Sequence, residues 1–206
     1  MANSQEVRSR IQKFYRKDAE IIYPPVDIPS QLLTAKSQKQ SYYLAGGRLA
    51  RAKGIDIIIE AFNRSGKKLK IFGKEFAGFD EELKSIAGKN IEFMGEVTDI
   101  ERQELMANAK AYVFASFDED FGITPVEAIA AGTPVIAYRS GGVRETVVDG
   151  KTGIFFDENT PEAINAAIEQ FEKTKISLAA CRKQAQKFSS EVFDKKIVEL
   201  VRSKIK

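Results

Sequence analysis

From Ser41 onward the sequence alternates short apolar runs with longer stretches of helical spacing, and this restricts the chain to a parallel sheet covered by helices on both faces. The pairs are 42–45 with 55–63, 68–72 with 79–87, 91–94 with 99–108, 111–115 with 125–131, 134–137 with 143–148, and 154–156 with 161–171. The expected class is therefore α/β, a doubly wound parallel sheet. Ala111-Tyr112-Val113-Phe114-Ala115 and Pro134-Val135-Ile136-Ala137 lack any polar alternation, which marks central strands buried on both sides. Amphipathic helices at 177–188 and 191–204 close the chain.

What precedes Ser41 reads differently. Val7, Ile11, Phe14 and Tyr15 give 3–16 a helical spacing, 19–23 is strand-like, and Pro24-Pro25 ends that run. Residues 26–40 mix Pro, Ser, Gln and Lys without a period and read as a linker, so a boundary is expected near residue 40. With 206 residues, 43% of them hydrophobic, the chain can build one good-sized core. A net charge of +3 is too small for a dedicated nucleic-acid or membrane surface. One cysteine, a polar N-terminus and no apolar run near the ~18 residues of a membrane helix point to the cytoplasm. Histidine is absent, so neither a Ser/His/Asp site nor a His-ligated zinc site can come from this chain alone.

In doubly wound folds ligands bind beyond the carboxyl ends of the strands, which directs attention to the loops 46–54, 73–78, 95–98, 116–124 and 138–142. The first contains Gly46-Gly47-Arg48 and Lys53-Gly54. A guanidinium and an ammonium beside flexible backbone suit a polyphosphate, although a solvated basic loop fits the spacing equally well. The loop is not the Gly-x-Gly-x-x-Gly dinucleotide fingerprint, because Arg48 and Leu49 stand where glycines are needed. Gly150-Lys151-Thr152 is not a P-loop either, since Glu145 occupies the place of its first glycine.

The most informative run is 116–128. Thr124 is placed to cap a helix, Pro125 to begin it and Glu127 to be its third residue, immediately after an apolar strand. The N–H groups of that helix start, with Gly122 permitting close approach, would bind a terminal phosphate. Glu127 has two readings: the second half of a Thr-x-x-Glu capping box, or a ligand for hydroxyl groups together with Glu119, eight residues earlier. Asp118 and Asp120 read as solvated loop charges, and Arg144 and Glu145 as surface or packing residues. Gly141-Gly142 is equally a tight turn or a place where a ligand lies against backbone.

Together these segments resemble the C-terminal domain of the family 4 glycosyltransferases, whose GT-B fold sets two Rossmann-like domains across a cleft. The resemblance spans about residues 19–200 and rests on Glu119-x7-Glu127 within Glu-Asp-Phe-Gly-Ile-Thr-Pro-Val-Glu-Ala, on the following Ala-Ala-Gly-Thr-Pro-Val-Ile-Ala, on Ser-Gly-Gly-Val-Arg-Glu-Thr-Val, and on Gly47-Arg48-Leu49-x3-Lys53-Gly54. It implies that Arg48 and Lys53 hold the diphosphate of a nucleotide sugar and that Glu119 contacts the transferred sugar. It implies that Glu127 contacts the ribose as well as capping. Backbone at Phe121, Gly122, Ile123 and Thr124 would meet sugar and phosphate, while Gly95, Glu96 and Val97 would flank the base.

The same resemblance implies retention of configuration, with no cofactor and no obligatory metal, the nucleotide sugar being the substrate. It divides the chain into a crossover helix and linker (1–40), a nucleotide-sugar-binding domain (41–175) and C-terminal helices packed on it (176–206). Ile-Ile-Tyr-Pro-Pro and Glu-Asp-Phe-Gly-Ile-Thr-Pro look like the segments of mannosyltransferases that use GDP-mannose. In the family an acceptor-binding domain precedes the crossover, and nothing here corresponds to it. The expectation is thus the donor-binding half of a glycosyltransferase, inactive without its other half in cis or trans, which as a complete enzyme associates peripherally with the inner face of the membrane. A non-catalytic module of the same fold is the competing expectation.

Overall fold

A computed structural model describes residues 1–27, 41–76 and 78–205. After an N-terminal helix α1 (Gln5–Tyr15) the order is β1 (Tyr42–Gly46), α2 (Ile55–Ser65), β2 (Lys68–Phe72), α3 (Phe79–Ile86), β3 (Ile91–Gly95), α4 (Asp99–Asn108) and β4 (Tyr112–Phe114). It continues with α5 (Ile123–Ala130), β5 (Val135–Tyr138), α6 (Val143–Thr146), β6 (Gly153–Phe156), α7 (Pro161–Lys173), α8 (Leu178–Ala185) and α9 (Ser190–Ile205). The strands form one sheet in the order β3-β2-β1-β4-β5-β6, and all pairs are parallel. This is the Rossmann-like order, whose direction of winding reverses between β1 and β4, so the crevice for a ligand opens there.

Side chains on successive strand positions divide between two cores, because a strand turns alternate residues to opposite faces. Tyr42, Leu44, Tyr112 and Phe114 join one core with Val126, Ile129, Cys181 and Ala185 from α5 and α8. Tyr43, Ala45, Val113 and Ala115 join the other with Ile58, Phe62, Ile164 and Ile168 from α2 and α7. Full burial of each large apolar side chain contributes roughly 1.5–3 kcal/mol. The wholly buried β4 lies in the middle of the sheet between β1 and β5, as its unbroken apolar sequence requires.

Several local expectations are corrected. Residues 19–23 form no strand of the sheet; Ile21 makes only an isolated bridge to Ala2. Val26 leaves the expected linker to pair with Ser189 and is buried, whereas 28–40 lie outside the described residues. The helix at 143–148 is a single turn, Val143–Thr146. α8 packs on α5 through Cys181 and Ala185, but α9 and α1 have no buried residue.

Candidate functional site

Three loops at the carboxyl ends of β1, β2 and β4 meet backbone to backbone, and glycines make this possible. A Cβ on Gly46 would fall 2.3 Å from the Phe72 carbonyl oxygen, and one on Gly73 1.9 Å from that of Gly47. Gly54, in the left-handed region at φ 63°, would place its Cβ 2.7 Å from the Ala115 oxygen. The loop after β1 is therefore pressed between β2 and β4, at the reversal of the sheet.

Lys53 ends the 3-10 turn Arg51–Lys53 in that loop and reaches across the reversal to Glu119. The two form a short ion pair, and the Ser116 hydroxyl donates to the same Glu119 oxygen at 2.8 Å. The Glu119 backbone is held as well, its carbonyl accepting from Gly142 N–H at 2.7 Å. Arg48 lies elsewhere. It is exposed, 5.7 Å from the Phe76 ring centroid, and lines a cavity of about 300 Å³ with Gly47, Gly73, Glu96, Val97 and Arg102. The structure thus joins Lys53 to Glu119, and groups Arg48 with Gly47 and Val97.

Helix α5 begins one residue before the expected cap. Gly122, at φ 86°, is the N-cap, Ile123 the first helical residue, and Thr124 lies inside the helix. The reason is conformational: glycine takes the left-handed region without penalty, so the chain enters the helix earlier than Thr124 would allow. The Thr124–Glu127 capping box does not form. In contrast, Thr98 and Glu101 make a complete one at the start of α4. The N–H groups of Ile123 and Thr124 sit in the first turn, where a helix offers no internal acceptor. The Phe121 side chain points away, 2% exposed and stacked 5.6 Å from Tyr23, so only its backbone belongs to the site.

Freed from capping, Glu127 accepts from Arg102 Nη2 at 3.0 Å. Burial pushes its carboxyl upward from the ordinary range, Arg102 opposes this, and Asp99 adds to it. The Tyr112 phenol donates to the Gly46 carbonyl at 2.6 Å, tying β4 to the end of β1. Burial, then the charge of Glu127, pushes that phenol upward too.

Sequence reasoning underrated several other residues. Arg10 of α1 bonds the Asp118 carbonyl at 3.1 Å and the Asp120 carboxylate at 2.9 Å, so Asp120, exposed as a loop charge should be, is also a tether for α1. Glu145 accepts from Gln5 N–H, Glu6 N–H and the Tyr23 hydroxyl, fixing the start of α1. Gly141 and Gly142 are buried against the 119–121 backbone; added Cβ atoms would lie 2.2 Å from Glu119 O and 2.3 Å from Asp120 O. Arg102 carried one signal in the sequence, a cation in the first turn of a helix, where the macrodipole disfavours it.

At the reversal of the sheet, then, the Lys53–Glu119 pair stands beside the start of a helix, with Arg48 and the Arg102–Glu127 pair along the adjoining cavities, a set able to bind a phosphorylated, hydroxyl-bearing ligand. Comparison with known proteins agrees with this chemistry. Residues 33–188 match the family described as glycosyl transferases group 1. The chain is 31% identical over 156 residues to an alpha-1,3/1,6-mannosyltransferase of Dictyostelium discoideum, covering 64% of this chain and 37% of that protein. It is 30% identical over 176 residues to a D-inositol 3-phosphate glycosyltransferase of Corynebacterium urealyticum, covering 76% and 42%. The chain spans less than half the length of both. Among solved structures it resembles sucrose-phosphate synthase from Thermosynechococcus elongatus (TM-score 0.84, 20% identity, 99% of this chain and 57% of that one). It also resembles HepE of Anabaena in complex with UDP (TM-score 0.82, 24% identity, 98% and 63%). At these identities the solved structures speak for the fold alone. The chain belongs to the glycosyl transferases of group 1.

Proposed function

We propose that this chain is the donor-binding half of a retaining glycosyltransferase, moving a sugar from a nucleotide diphosphate sugar, in the first instance GDP-mannose, to a glycan or lipid-linked acceptor on the cytoplasmic side of a membrane. The observation that carries this reading is the Lys53–Glu119 pair at the reversal of the sheet, beside the first turn of α5. The diphosphate takes Lys53 and the helix N–H groups, Arg48 adds a second cation, and Glu119 turns to the hydroxyls of the sugar. As the glycosidic bond breaks, negative charge grows on the leaving diphosphate, so the cations stabilise the transition state more than the ground state. Glu119 orients the ring beside the oxocarbenium-like centre. The diphosphate itself takes the proton of the acceptor, consistent with a chain that has no histidine.

Mannose is favoured by the mannosyltransferase among the relatives. UDP, present in the HepE structure, is the competing nucleotide. The acceptor would be held by another domain, in cis or trans. α1 and α9 leave Phe14, Tyr15, Val198, Val201 and Ile205 exposed, and these are apolar surfaces such a domain would cover. A non-catalytic nucleotide-binding or assembly module is the second reading, favoured by the same exposed helices.

Thermal melting with GDP, UDP and ADP tests the reading. At least one is expected to raise the melting temperature, and Arg48→Ala and Lys53→Ala are each expected to reduce that rise. A melting temperature indifferent to all three nucleotides removes the donor-binding reading.

A further inference from the structure

Arg102 stands where two cavities meet. It walls the cavity of about 300 Å³ that contains Gly47, Arg48 and Val97, and also a second of about 210 Å³ bounded by Val26, Asp99, Ile123 and Glu127. Its Nη2 lies 3.0 Å from Glu127 Oε1 and 3.0 Å from Asp99 Oδ1. The charged and titratable groups facing Glu127 are thus Arg102 and Asp99 from α4, the Tyr112 phenol from β4, and Asp27 across the second cavity. Burial, and then the charge of Asp99, push Glu127 toward a neutral carboxyl, and Arg102 is the group that opposes them. Protonation matters chemically, because a carboxylate accepts hydrogen bonds through both oxygens, whereas a carboxylic acid gives up part of that capacity to its own proton.

A cation in the first turn of α4 works against the helix dipole, and the ion pair with Glu127 offsets that cost. We propose that Arg102 is a positioning residue for nucleotide recognition: its ion pair keeps Glu127 anionic and fixed in the second cavity, beside the wall that Arg102 forms between the two, where the carboxylate accepts from the ribose diol. This rests on the reading of Glu127 as a ribose ligand. Arg102 acts through Glu127 and leaves the diphosphate to Arg48 and Lys53.

The test compares a nucleoside diphosphate with its 2′-deoxy and 3′-deoxy counterparts, using whichever of GDP, UDP and ADP binds the unsubstituted chain most tightly. Titration calorimetry is run from pH 6 to pH 9. The unsubstituted chain is expected to prefer the ribonucleotide by about tenfold, the size of one charge-assisted hydrogen bond, across this range. Arg102→Met is expected to bring the preference to within about twofold at the acid end of this range, and to cut it less at the alkaline end, because the cation that opposes burial at Glu127 is gone. Arg102→Lys should retain it throughout, and Glu127→Gln should lose it at every pH. Should the methionine variant not fold, judged by circular dichroism, Arg102→Gln takes its place.

The ratio of ribo to deoxy affinity is unaffected by a general loss of positive charge, which weakens both ligands alike. Ribo preference unchanged in Arg102→Met, or lost equally at all pH values, overturns the inference while leaving the donor-binding reading in place. Absence of binding by any diphosphate to the unsubstituted chain overturns both.

Discussion

Gly142→Ala is the substitution that most directly probes how Glu119 is held. Gly142 has ordinary helical backbone, φ −71° and ψ −14°, so alanine brings no conformational strain there. What it brings is a Cβ 2.3 Å from the Asp120 carbonyl oxygen and 2.7 Å from the Phe121 Cα, both backbone atoms unable to swing aside. Restoring an ordinary carbon–oxygen contact requires the 119–121 loop to retreat by roughly 1 Å. That stretches the Gly142 N–H to Glu119 carbonyl bond, now 2.7 Å, beyond hydrogen-bonding range. Overpacking costs about 1–3 kcal/mol and the lost bond about 0.5–1.5, so the expected destabilisation is about 2–4 kcal/mol. For a domain of this size that is a fall of about 4–16 °C in melting temperature. Gly150→Ala is the control: its φ is +69° with nothing within 4 Å of the added Cβ. It incurs left-handed strain alone, about 1 kcal/mol or about 2–4 °C. Scanning calorimetry on the two variants decides the matter. A Gly142→Ala protein that melts with or above the Gly150→Ala protein would refute the claim that backbone contact fixes the Glu119 loop.

Two further outcomes are expected. Glu145→Ala removes the acceptor of Gln5 N–H, Glu6 N–H and the Tyr23 hydroxyl, and because α1 has no buried residue it should fray. Hydrogen exchange should accelerate over 5–15 and stay slow in β4; unaltered protection of α1 would mean that its other ties suffice. Burial pushes the Tyr23 and Tyr42 phenols up to about 12, with Glu145 and Glu92 adding to burial. A phenol raised by folding contributes stability that is intact below about pH 10 and is lost as pH climbs toward 12. These two should together remove about 2–3 kcal/mol per pH unit across that window, and the part of the phenolate absorbance that Tyr23→Phe and Tyr42→Phe remove should appear with unfolding rather than before it. A loss of phenolate absorbance at pH 10 on Tyr23→Phe or Tyr42→Phe, in a chain that is still folded, would contradict the burial of these side chains.

Much of the fold was legible because it is written in local periodicity. Strand length, helical spacing and glycine-bearing loops identify β1 through β6 to within one residue at each end, and a parallel sheet built from them presents its ligand loops at one end. Arg48, Lys53 and Glu119 could be named as candidates because each lies in such a loop, and Glu127 because it stands early in the helix that follows one. Local reasoning failed at Thr124, where a good capping residue lost to Gly122, two positions earlier. Side-chain preference for a cap contributes about 1 kcal/mol, and the neighbouring backbone's access to the left-handed region overrode it.

Partnership was beyond the sequence. That Lys53 spends its charge on Glu119, that Arg102 holds Glu127, that Arg10 reaches Asp120 and that Gly142 presses on the Glu119 loop all join residues 23 to 110 positions apart. Periodicity and capping depend on neighbours within one or two turns, so the sequence by itself determined the strands of the sheet and the types of residue found in the loops at their carboxyl ends. Which charge faces which, and therefore which ones a ligand must displace, depends on distances and burial that exist only once β1 and β4 lie side by side, and the tertiary structure alone decided it.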